Sequence, residues 1–157
     1  MKTATVSQLK KELKYLSQTE LLALCLQLSK FKKENKELLT YLLFEASDED
    51  HFIQGVKEEV TELFGQINTA SYFYIKKSVR KILRIIKKYI RYSKKKETEV
   101  ELLVYFCNEL KNMNPSFHRN TSLQNIYDRQ LILIKKAIAT LHEDLQYDYN
   151  LELDKLQ

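Results

Sequence analysis

Two glycines and one proline are too few turn residues for a chain of 157 residues to build sheets. Average usage would supply roughly eleven Gly and eight Pro in this length. Strands must be joined by tight turns, and those turns draw on the missing residues. The sequence therefore predicts an all-α protein, helical almost from end to end. Its periodicity divides into six to seven helices, expected as an irregular array of antiparallel pairs, solenoid-like or a bundle. The length suits one domain spanning 1–157, with residues 148–157 expected either to fray or to add one more turn.

The sharpest local signal is Leu16-Ser17-Gln18-Thr19-Glu20-Leu21. Ser17 and Glu20 have capping-box spacing, and Leu16 and Leu21 have that of a hydrophobic staple, so a helix starts at Gln18. Polar KFKKENK at 30–36 predicts a break near Asn35, although one bent helix over 18–46 fits as well. SDEDH at 47–51 reads as a helix start, with carboxylates where the helix dipole favours them. Thr98 and Glu101 repeat the capping-box spacing ahead of Val100, Leu103, Phe106 and Leu110. Residues 112–122 form the one long loop. The last long helix carries Leu123, Ile126, Tyr127, Ile134, Ile138, Leu141 and Leu145. Cys25 and Cys107 both fall in apolar helical patterns and are expected as buried free thiols.

The block LKKELKYLSQTELLALCLQLSKFKKENKELLTYLL adds a family likeness. It orders a short Leu-Lys helix, a capped Leu-Ser turn, a Leu-rich helix and a Lys-Glu helix. This resembles a family of small all-helical bacterial proteins, a domain of unknown function frequent in Bacteroidota, over residues 5–45. Leu9, Lys10, Lys11, Leu13, Leu16, Ser17, Glu20, Leu21, Leu28, Lys33, Glu34, Lys36, Glu37 and Leu39 carry the likeness. The resemblance implies a helical-array fold and a bacterial cytoplasm, and it implies no catalytic residues.

The formal charge of +5 is not spread along the chain. Residues 63–96 hold eleven Lys or Arg and no Asp or Glu, while the segments on either side are mildly acidic. Within 72–92, one arc of about 120° holds Ile75, Val79, Ile82, Leu83, Ile86, Tyr89 and Ile90, and the other side is basic. Four roles fit such a helix. The basic side is the wet face of a core helix. It binds nucleic acid or another polyanion. The helix lies on an anionic membrane. Or the face pairs with an acidic protein partner or with the chain's own clusters, Glu97, Glu99, Glu101 and the SDED loop. For a polyanion the candidate contacts are Lys77, Arg80, Lys81, Arg84, Lys88 and Arg91.

Catalytic patterns are missing. His51, His118 and His142 are far apart in sequence, Asp48 and His51 have no second copy of their spacing, and no zinc-protease or phosphate-loop motif occurs. No metal or cofactor is expected. The expectation is a non-catalytic helical binding protein. The alternatives are an enzyme whose site gathers dispersed His and carboxylates, and an adaptor for a protein partner that binds no polyanion. The absence of a signal-peptide pattern and of a long apolar run points to the cytoplasm, and self-association stays open.

Overall fold

The computed structural model describes all 157 residues and is wholly helical, with eight α-helices in place of the six to seven expected. The chain forms two compact units, Met1–Phe44 and Glu45–Gln157.

The first unit holds α1 (Val6–Leu13), α2 (Gln18–Phe31) and α3 (Lys33–Thr40), which runs into a π-helical turn at Tyr41–Glu45. Thr5 and Gln8 form a capping box on α1. The expected box on α2 is present too. Ser17 N–H donates to Glu20 Oε2 at 2.7 Å, and Glu20 N–H donates to Ser17 Oγ at 3.2 Å. The Ser17 N–H, and after it the Ser17 hydroxyl, hold the Glu20 carboxyl below its usual range. The break after α2 comes at Lys32, whose backbone is extended, and not near Asn35. Asn35 instead reaches back, its Nδ2 donating to Leu28 O at 2.8 Å, one of the carbonyls a helix end leaves open. Residues 18–46 are thus not one bent helix.

The second unit holds α4 (Glu49–Gly65), α5 (Tyr72–Ser93), α6 (Lys96–Asn112), a 3₁₀ turn (Phe117–Arg119), α7 (Thr121–Ile138) and α8 (Glu143–Leu156). Helix α6 is its centre and packs against α4, α5, α7 and α8. Its buried residues, among them Thr98, Val100, Leu102, Leu103, Val104 and Phe106, span about 240° of its circumference. A helix with so wide a buried arc must be packed on more than one side. Cys107, fully buried on α6, has its thiol pushed up to about 12 by desolvation. Cys25 is exposed, contrary to expectation, because the first unit does not cover it.

Two boundaries differ from the sequence expectation for tertiary reasons. Thr98 does not cap α6. The helix starts two residues earlier, and Thr98 is fully buried, donating from Oγ1 to Glu49 Oε1 at 2.6 Å. Glu49 also accepts from Ser93 Oγ and pairs with Lys95 at 2.8 Å. One carboxylate at the start of α4 therefore ties down the α5–α6 turn. Glu101 turns to Lys57 of α4 and Tyr149 of α8, so the spacing of a capping box arose without the box. The other difference is a break at 139–142, which separates α7 from α8 and accounts for the extra helix. His142 caps α8 by accepting from Asp144 N–H at 3.4 Å. The C-terminal residues complete α8. Leu153 and Leu156 are buried, and Tyr127 Oη donates to Leu156 O at 2.7 Å. Burial pushes the Tyr127 phenol up to about 12.

The α5–α6 turn uses Lys94 in the left-handed region, at φ 59°. A side chain with a Cβ is strained there, and Gly is the usual occupant. Lys94→Gly is expected to raise the stability of this unit by about 0.5–1 kcal/mol, read as a higher urea midpoint at unchanged slope. A lowered midpoint would mean that the Lys94 side chain makes contacts outweighing the strain.

Candidate functional site

Helix α5 separates its two faces cleanly. Ile75, Val79 and Ile86 are fully buried and Ile82 nearly so. Each contributes roughly 1.5–3 kcal/mol by leaving water. At about 100° per residue, Lys76, Lys77, Arg80, Lys81, Arg84, Lys87, Lys88 and Arg91 fall in an opposite arc of about 140°. From Lys76 to Arg91 the face runs about 22 Å along the helix axis.

Of the expected contacts, Lys77, Arg80, Lys81, Arg84 and Arg91 are exposed. Lys88 is half-buried, with its Nζ 4.9 Å from the centre of the Tyr89 ring. A concavity of about 680 Å³ runs along the face, lined by Phe73, Lys76, Lys77, Arg80, Leu83, Arg84 and Lys87. It gathers Lys77, Arg80 and Arg84 from the expected set and leaves Lys81, Lys88 and Arg91 outside its lining. The expected set left out Lys76 and Lys87. The helical wheel held the signal, since Lys76 and Lys87 flank Arg80 on the side away from Lys81. Phe73 is 67% exposed and meets Tyr74 edge-on, ring centres 5.4 Å apart.

The chain's carboxylates do not neutralise this face. Glu101 pairs with Lys57 at 2.8 Å, Glu99 with Lys96 at 2.6 Å and Glu49 with Lys95. Asp48 caps α4, accepting from His51 N–H at 3.1 Å. None of Lys76, Lys77, Arg80, Lys81, Arg84, Lys87 and Arg91 forms an ion pair with an acidic side chain. Arg80 is instead steadied by a neutral partner, its Nη2 donating to Ser122 Oγ at 3.0 Å at the start of α7. The apolar face of α5 lies in the core and is not available to a membrane. No helix is long and apolar enough to cross a membrane.

A second, smaller cavity of about 270 Å³ lies among α4, α6 and α8, lined by Lys57, Glu101, Tyr105, Asn108, Tyr149 and Glu152 among others. Three of its polar groups serve one another. Glu101 accepts from Lys57 and, at 3.2 Å, from Tyr149 Oη. Burial first, then the charge of Glu101, drives the Tyr149 phenol upward.

The histidines sit in three separate elements. His51 is on α4, His118 Nδ1 is 2.7 Å from Gln124 Oε1, and His142 caps α8 with its Nδ1 3.6 Å from Asp144 Oδ2. No group of three or more His, Cys, Asp or Glu converges as a metal-binding set. Comparison with protein families, curated proteins and solved structures returns no match for this chain.

Proposed function

We propose that residues 45–157 bind the sugar-phosphate backbone of nucleic acid through the basic face of α5, without catalysis. One observation carries this: a continuous basic face about 22 Å long, of which Lys76, Lys77, Arg80, Lys81, Arg84, Lys87 and Arg91 form no ion pair with an acidic side chain. Seven like charges on one helix repel one another at their i, i+4 spacings. An exposed anion relieves that repulsion, and a row of phosphates relieves it along the whole face. Phosphates are also the anions that Lys and Arg contact in a sequence-independent way. Binding of this kind is governed by backbone charge and by salt. We take the setting to be the cytoplasm, where free thiols such as Cys25 and Cys107 persist.

The test is a titration of the whole protein against fluorescent random-sequence DNA and RNA at about 50 and 200 mM salt. Contact with about five phosphates predicts an affinity loss of roughly 10²–10³-fold between the two conditions. No binding at the lower salt, or an affinity indifferent to salt, overturns the proposal.

A further inference from the structure

The apolar surface of this protein is concentrated where its core is not. Fourteen of the nineteen exposed large hydrophobic side chains belong to residues 1–44, and five to the other 113 residues. Helices α1, α2 and α3 bury none of their residues. Leu22, Leu28, Phe31, Leu42 and Leu43 are each more than half exposed.

Helix α2 shows what is missing. On a wheel its apolar side chains, from Phe31 and Leu24 round to Leu22 and Leu26, span about 220°. A stripe of roughly 100° suffices to pack against one neighbour. Helix α3 is such a neighbour for one side, and together they leave a groove of about 240 Å³. Half-buried Leu38 and Leu39 line its floor, and exposed Cys25, Leu28 and Leu42 stand at its lips. The rest of the α2 circumference meets water. At their fractional exposures, the large apolar side chains from Leu21 to Phe44 leave on the order of 1,000 Å² open. That exceeds the few hundred Å² of a typical monomer's largest patch and reaches the roughly 800 Å² per partner of a stable interface.

We propose that this hairpin is a homodimer interface, in which α2 and α3 of two copies pack as a four-helix bundle. The occupant is a second copy because the surface complements itself. A leucine-lined groove takes leucine-sized side chains, and the same hairpin displays them at Leu22, Leu26 and Leu43. No other part of the chain offers a matching density of exposed leucine. Two antiparallel hairpins related by a two-fold axis bury one another's apolar faces in a bundle core, a closed arrangement in which each hairpin is used once.

The test measures the mass of the full chain by sedimentation equilibrium across about 1–100 μM, where a dimer doubles the 18.7 kDa of one chain. The double variant Leu28→Glu/Leu42→Glu is measured beside it. Both leucines are more than half exposed in a single chain, so a monomer loses little by the change. A dimer places two charges per copy in its core and is expected to dissociate at least about 100-fold more readily. Cys25 supplies an independent readout. It should react slowly with a thiol reagent in the wild type and quickly in the variant, while buried Cys107 stays silent in both. A wild type that remains monomeric with a fast Cys25, a dimer that persists in the folded variant, or a larger assembly overturns the proposal.

Discussion

Replacing Lys77, Arg84, Lys87 and Arg91 together by Gln is expected to weaken nucleic-acid binding by about 100-fold at 50 mM salt and to flatten its salt dependence. Each phosphate contact removed takes roughly 0.9 from the slope of log affinity against log salt. Losing three or four of about five contacts leaves little slope at all. The fold should hold. All four side chains are exposed, none forms an ion pair, and Gln is nearly as good a helix former as Lys or Arg. Removing like charges at i, i+4 spacing relieves repulsion, so the melting temperature should stay level or rise slightly. Arg80 and Lys88 are left in place because each also touches a neighbouring group, Ser122 and the Tyr89 ring. A folded variant that binds as tightly as the wild type would remove α5 from consideration as the binding face.

The largest stability effect belongs to α6. Phe106→Ala should lower the unfolding free energy by about 3–5 kcal/mol. Phe106 is fully exposed to none of the solvent, sits midway along the central helix and meets Phe64 of α4 with ring centres 5.9 Å apart. Four helices close around α6, which leaves them little freedom to collapse into the space a lost ring leaves. A typical domain has only about 5–15 kcal/mol in total, so this variant should unfold at a markedly lower denaturant concentration and lose binding with its fold. A change below about 1 kcal/mol would show that α6 is not the centre of the core. Together the two variants separate surface from scaffold, one removing binding at constant stability and the other removing stability itself.

Much of this was legible along the chain. The shortage of Gly and Pro called for helices throughout. The 3.6-residue rhythm of Ile75, Val79, Ile82 and Ile86 marked the buried face of α5, and the clustering of Lys and Arg marked the opposite one. Ser17 and Glu20 placed the start of α2 at the residue where it begins. These are signals within a few turns of one helix, where spacing alone decides which side chains share a face or reach a cap.

What the chain left open was decided by neighbours distant in sequence. Thr98 and Glu101 have the same spacing as Ser17 and Glu20, yet Glu49, some fifty positions away, takes the Thr98 hydroxyl, and Lys57 takes the Glu101 carboxylate. The break between α7 and α8 carries no Gly or Pro. It is held by the cap at His142 and by Gln146 Nε2 donating to Leu141 O at 2.7 Å, while Tyr127 anchors the far end of α8. Cys25 and Cys107 lie in similar apolar patterns, but one is exposed on the α2–α3 hairpin and the other is sealed inside α6. Periodicity ranks which faces of a helix prefer to leave water, and so the sequence by itself determined the helices and the two-faced character of α5. Whether a face finds a partner within the chain depends on which other helices arrive beside it. That depends on contacts among residues far apart in sequence, and only the tertiary structure decided that the basic face of α5 and the leucines of α2 remain uncovered.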